Sequence, residues 1–135
     1  MKRLLNGLGR YEAQAYAALR FVSGMLFAFR GVQTIIGWHA RVPQPPVGSQ
    51  MWIGGWIELI GGTLMAVGLF TRPAAFICSG MMAVAYFQFH WKFVTANGKW
   101  LPAVNNGELP VVYCFLFLFL ATRGGGSYSI DARRR

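Results

Sequence analysis

Acidic side chains are scarce in this chain. Four Asp and Glu stand against 13 Lys and Arg in 135 residues, a net charge of +9, and charged residues make up 13% of the sequence. A soluble domain carries about 25%, so the chain lacks the charge that dresses an ordinary solvated surface. A basic excess usually raises nucleic acid as a partner. Here the basic residues collect at the ends of apolar runs, and no basic stripe with interleaved aromatics stands apart from them, so nucleic acid is excluded and anionic headgroups are the expected counterpart. Cysteine is limited to Cys78 and Cys114, with no CxxC and no metal-ligand spacing. Histidine is limited to His39 and His90, and no two ligand residues stand at i, i+3 or i, i+4, so neither a haem nor a metal is expected from them or from Glu58 and Glu108. No flavin, nicotinamide or iron–sulfur motif is present. No cofactor is therefore predicted, with quinone kept as a candidate. A cleavable leader is also not expected. Ala13, Gln14 and Ala15 precede the first apolar run instead of following it, and Arg20 and Arg30 interrupt that run.

What the chain does have is apolar length. It is 55% hydrophobic with a mean hydropathy of +0.40. Residues 19–38 and 51–70 are runs of about 20 residues, the length a helix needs to cross a bilayer. The expected architecture is all-α: one integral-membrane four-helix bundle over residues 1–135 with short loops. Its spans are expected at about 16–38, 51–70, 73–93 and 108–122. Residues 1–15 read as an interfacial helix, with Leu4, Leu5, Leu8 and Tyr11 at helical spacing. Prolines interrupt the loop at 39–49, and Pro73 suits the first turn of the third helix. Four spans put both termini on one side. That side carries Lys2, Arg3, Arg10, Arg72, Arg123 and Arg133 to Arg135, against Arg41, Lys92 and Lys99 on the other, so both termini are expected in the cytoplasm. Trp38, Trp52, Trp91 and Trp100 then fall near the outer interface.

Charge within the spans marks the candidate site. At 1.5 Å per residue, Arg30 lies about 12 Å below the outer end of span 1 and Glu58 about 10 Å below that of span 2. They are expected to pair. His90 lies about 4 Å below the outer end of span 3, and Glu108 opens span 4 on the same side, with Gln33 and Asn106 able to join. Either Arg30 and Glu58 form a buried pair that sets helix register, or the group lines a pocket for a polar headgroup, a proton relay or a quinone. Arg20 shares one helix face with Ser23, Phe27, Arg30 and Thr34 but lies near the cytoplasmic end, where snorkelling to headgroups is the expected role. Gly54, Gly55, Gly61 and Gly62 are expected to let helices approach closely. Counting along the spans puts Cys78 and Cys114 at opposite depths, which predicts two free thiols.

Three stretches carry a resemblance. They are Leu19, Arg20 and Phe21 through Phe29, Arg30 and Gly31; Gly55 to Gly62, continuing through Gly68 to Ala75; and Asn106, Gly107 and Glu108 with the glycine-rich end from Gly124 to Asp131. On these the chain resembles the DoxX family of small four-span bacterial membrane proteins. Arg20, Glu58, Asn106 and Glu108 match well, whereas Thr34 stands where members often have lysine. The resemblance implies a four-helix membrane bundle, with relatives linked to thiosulfate:quinone oxidoreductase, methylamine-utilisation assembly and complexes for oxidative and thiol stress. The expected function is an accessory subunit of a redox or respiratory-type complex in the bacterial inner membrane, with membrane lipids and protein partners or further copies of itself around it. Its polar pocket in the outer half would take quinone or lipid. A quinone-linked oxidoreductase is the second expectation, and a small-solute transporter or channel the third.

Overall fold

The computed structural model describes residues 7–134. Its α-helices are α1 (Glu12–Ile36), α2 (Gln50–Val67), α3 (Thr71–Ala85), a short α4 (Pro102–Asn105), α5 (Glu108–Arg123) and a short α6 (Ile130–Arg133). No strand occurs among the described residues. A 3-10 turn at Gly9–Tyr11 leads into α1, and a π-helical segment, Tyr86–Trp91, continues α3. Of the expected interfacial helix, residues 1–6 lie outside the described residues, and the rest is helical and runs on into α1.

The buried positions of α1 are Tyr16, Arg20, Ser23, Gly24, Phe27, Ala28 and Gly31. Their steps of three and four make one face of a helix. Its other face carries Phe21, Val22, Met25, Leu26 and Phe29, all exposed. The buried face meets α2 through glycines seven residues apart on each helix. A Cβ on Gly24 would stand 2.7 Å from the Gly62 carbonyl oxygen, and one on Gly31 would stand 2.7 Å from that of Gly55. The expected close approach at Gly55 and Gly62 is thus completed by Gly24 and Gly31. Glycine also ends the helices: Gly37, Gly68 and Gly124 follow α1, α2 and α5 at φ of 78, 72 and 83°, where other residues are strained. Phe27, Met65, Cys78, Phe117 and Leu120 are fully buried at the centre, with the Phe27 and Phe117 rings 4.8 Å apart edge to face.

One end of the bundle is laced by side chains that cap helices distant in sequence. Arg20 donates to the carbonyls of Met65 (2.5 Å) and Ala66 (2.6 Å) in the last turn of α2, and to that of Tyr128 (2.7 Å). Arg72 donates to the Thr122 carbonyl (2.7 Å) at the end of α5. Asp131 accepts from the Phe70 and Thr71 amides and the Thr71 hydroxyl, each at 2.9 Å, at the start of α3. Cations at helix C-termini and a carboxylate at an N-terminus satisfy orphan backbone groups and suit the helix dipoles. The Tyr16 hydroxyl donates to the Gly124 carbonyl, and Arg123 pairs with Glu12 at 2.7 Å. Both ends of the described chain therefore lie at this end of the bundle.

Two expectations change here. Arg20 does not snorkel; it is 2% exposed and serves as the cap of α2. The cysteines are free but not at opposite depths, because Ser79 donates to the Cys114 carbonyl at 2.7 Å, with the two side chains 3.6 Å apart. The outer-end count for Cys114 assumed that α5 begins at the membrane edge. With its 16 residues, α5 is about 24 Å long, and its last turn is level with the first turn of α3. Cys114 thus sits about 13 Å from that shared end, near the about 12 Å of Ser79.

Candidate functional site

All four long helices contribute to one cavity of about 370 Å³. Phe27, Arg30 and Thr34 reach it from α1, and Glu58 from α2 beside the small Gly54 and Gly55. Met81 and Met82 come from α3, His90 from the π segment, and Leu109 and Tyr113 from α5. The walls are mostly apolar, and Glu58 supplies the one carboxylate in the lining.

Glu58 is buried because its helix face is the one that Gly55 and Gly62 press against α1. Its side chain is 10% exposed, whereas that of Arg30 is 54% exposed. Arg30 Nε lies 3.7 Å from Glu58 Oε1, within ion-pair range but longer than a hydrogen bond. The pair expected from matched depth is present, with one partner inside and the other at the rim. No hydrogen bond leaves the Arg30 guanidinium among the described residues.

His90 is aimed by a change of helix type. The segment Tyr86–Trp91 is π-helical, and the Lys92 amide closes it onto the Phe87 carbonyl at 2.9 Å. Such wide turns insert a residue and rotate the side chains beyond them. His90 Nδ1 then lies 3.1 Å from the Asn105 carbonyl, and its ring stacks on Tyr86. A carbonyl only accepts, so Nδ1 carries a proton toward Asn105, and in the corresponding neutral tautomer Nε2 is the acceptor. The Tyr86 hydroxyl donates to the Trp100 carbonyl, and the Asn105 amide donates to that hydroxyl and to the Lys99 carbonyl. The loop between the π segment and α5 is thereby bound to the segment that carries the imidazole.

The cavity brings Arg30, Glu58 and His90 together. Gln33 lines an adjoining groove and donates to the His39 carbonyl at 3.0 Å. Asn106 occupies an exposed left-handed turn at φ 57°, and Glu108 is exposed at the start of α5. Neither Asn106 nor Glu108 lines the cavity. The His39 ring packs at a tilt against that of Trp38 in the first loop and does not line the cavity. Tyr113 and the methionines of the wall were not singled out from the sequence. The spacing of Tyr113, Phe117 and Leu120 on one face of α5 is the signal that would have found the tyrosine. Chemically, a buried carboxylate and an imidazole acceptor in an apolar chamber can hold a ligand's hydroxyl or carbonyl group and exchange a proton with it.

The DoxX family profile matches residues 15–91, more than half of the chain. The chain belongs to the DoxX family. The matched region holds Arg30, Glu58 and His90, together with the Arg20 and Arg72 caps. A protein of Haemophilus influenzae is similar at 35% identity, over 94% of this chain and 96% of that protein. A second protein of the same organism is 27% identical, over 93% of this chain and 71% of its own length. Both are described only as uncharacterized proteins. No solved structure matches the chain. DoxX membership points to a membrane protein. Among the described residues, one helix, Gly9–Ile36, is long and apolar enough to cross a bilayer by length and composition. Of the other long helices, α3 and α5 are short, at 15 and 16 residues, while α2 is diluted by Gln50, Glu58 and its glycines.

Proposed function

We propose that this DoxX protein is an integral inner-membrane subunit that crosses the bilayer with α1, α2, α3 plus its π segment, and α5. It serves as an accessory to a redox or respiratory-type complex and binds quinone or lipid in the cavity between Arg30, Glu58 and His90. The observation that carries this reading is an apolar exterior around a core that also encloses charged and polar side chains. Arg20, Ser23, Glu58, Thr71 and Ser79 are buried, while Phe21, Val22, Leu26, Ile60, Phe76, Phe115 and Phe119 cover the outside. Water would make that arrangement costly and lipid would favour it. An ionisable group at such depth faces an interior or a cavity and is maintained for a task. The short helices are accommodated by local thinning of the bilayer or by flanking residues.

Purification in mild detergent, with every co-purifying protein and small molecule identified, tests this reading. Larger redox subunits and a quinone or lipid whose retention changes in Glu58→Gln are expected. A lone protein that carries no small molecule and remains unchanged by Glu58→Gln would overturn it. The presence of His90 and Glu58 in the lining of one cavity favours a second reading, a quinone-linked oxidoreductase in which both groups handle protons. Quinone reductase turnover by the isolated protein would select that alternative.

A further inference from the structure

The cavity around Glu58 does not end at Arg30. A second groove of about 350 Å³ lies on the other side of that residue, lined by Arg30, Gln33, Thr34, Arg41, Pro43 and Met51 among others. The two spaces share Arg30, Thr34 and Met51, so they adjoin and differ in chemistry. The inner one is mainly apolar. The outer one carries two guanidiniums, and no carboxylate lines it. Arg41 makes no hydrogen bond or ion pair from its side chain among the described residues, and Arg30 has only the 3.7 Å approach to Glu58 through Nε. Glu58, the single carboxylate, lines the inner space alone and can balance one of these cations at most. Gln33 is held in the groove by its bond to the His39 carbonyl, which leaves its amide oxygen and the remaining guanidinium N–H groups for a ligand.

We propose that the occupant is a single-chain anionic amphiphile. Its phosphate or carboxylate head lies between Arg30 and Arg41, and its chain enters the apolar space toward Met82 and Tyr113. This deepens the reading given under Proposed function, on which it rests, by choosing an anionic lipid over a neutral quinone. Charge complementarity carries the choice, because guanidiniums bind phosphate and carboxylate oxygens through paired, charge-assisted hydrogen bonds. Size favours one chain, since about 370 Å³ lies near the lower end of the about 300–1,000 Å³ typical of ligand pockets. Headgroup capture also gives Arg30 a role beyond Glu58. It stands at the border of both spaces and can pass from carboxylate to headgroup when a ligand enters.

The test uses the full chain in neutral detergent and native mass spectrometry with four probes. These are lysophosphatidylglycerol, lysophosphatidylcholine of the same chain, decylubiquinone and inorganic phosphate. Lysophosphatidylglycerol is expected to bind about tenfold tighter than the zwitterionic lipid, with phosphate alone bound far more weakly. Arg41→Gln, in an exposed loop where folding is not at stake, is expected to remove most of that tenfold preference by weakening lysophosphatidylglycerol much more than lysophosphatidylcholine. Met82→Trp, which fills the inner space, is expected to abolish the binding of both lipids. Its fold is checked by thermal melting. Equal binding of the two lipids, or a preference that survives Arg41→Gln, overturns the anionic-head proposal. If decylubiquinone still binds and is lost in Met82→Trp, the cavity reading stands while this one falls. Binding of no probe by a folded protein overturns both. Phosphate binding as tight as that of the lysolipid would make the groove a free-anion site and also overturn the proposal.

Discussion

At the scale of single residues, the ion pair at the site is unequal. Glu58 is nearly enclosed, while Arg30 is more than half exposed, so the two deletions should not cost the same. Arg30→Gln leaves a buried carboxylate without its cation, the case in which breaking a pair costs about 3–5 kcal/mol. Glu58→Gln leaves a guanidinium that can swing outward to headgroups or water, with a cost nearer the about 1 kcal/mol of exposed pairs. Thermal stability in detergent of the two variants and of the double variant checks this. Arg30→Gln should be clearly the less stable single variant, and the double should recover much of the loss; equal losses would mean that the pair is dry on both sides. Asp131 offers a second measurement, outside the proposed spans. Burial pushes its carboxyl up, but the backbone and side-chain hydrogen bonds of Thr71, the Phe70 amide and the Arg134 charge outweigh it and hold the group below its ordinary value of 3.8. A depressed carboxyl stabilises the fold fully above the ordinary value and loses that contribution as pH falls through the lower, folded value. Asp131→Asn should therefore lower the melting temperature at pH 7, and the gap to the parent should shrink as the pH is taken below 3.8. A gap that stays constant with pH would separate Asp131 from the acid sensitivity.

At the scale of elements, the α1–α2 contact depends on the absence of side chains. Gly31→Ala would push a Cβ to within 2.7 Å of the Gly55 carbonyl oxygen and against the backbone of Leu59. Backbone cannot move aside as a side-chain tip can, so the helices must part, and overpacking of this kind costs about 1–3 kcal/mol. Gly80 in α3 meets nothing within 4 Å, and Gly80→Ala should stabilise by about 0.5–1 kcal/mol through helix propensity. Melting of the two variants side by side checks the contrast; a harmless Gly31→Ala would mean that α1 and α2 are not held at this distance. Helix positions were legible in the sequence because apolar length, the prolines at 43–46 and the glycines at 37, 68 and 124 all mark ends by local rules. The depth match of Arg30 and Glu58 was legible because both helices are regular. His90 was only partly so: its depth could be counted, but a π-helical turn has no signature in apolar periodicity, and that turn aims the ring. The cysteines were misplaced for a related reason, since counting from one membrane edge takes every helix to be full length, and α5 is not. Arg20 was misread because a charge near a span end usually snorkels; nothing local announces that the last carbonyls of α2 and that of Tyr128 wait for it.

At the scale of the whole molecule, the two ends of the bundle differ in charge and in construction. One end holds Arg10, Arg72, Arg123, Arg133 and Arg134 with the laced caps of Arg20 and Asp131. The other holds Arg41, Lys92 and Lys99 in loops, together with the cavity and the basic groove. Positive charge is retained on the cytoplasmic side of a membrane protein, so the laced end should face the cytoplasm and the cavity should lie toward the periplasmic leaflet. On the function proposed above, the ligand would then enter from that leaflet and a redox partner would meet the protein there. Single cysteines in a background with Cys78 and Cys114 replaced by serine test the orientation. Ser49→Cys, in the loop before α2, should react with an impermeant maleimide in cells whose outer membrane is permeabilised. Ser127→Cys, in the segment after α5, should react only after the inner membrane is opened. The reverse pattern would turn the molecule over and bring the cavity to the cytoplasmic leaflet. Labelling of both positions from one side would mean that the four helices do not all cross, in which case the short α5 is the first to question, since its about 24 Å falls short of a core about 30 Å thick.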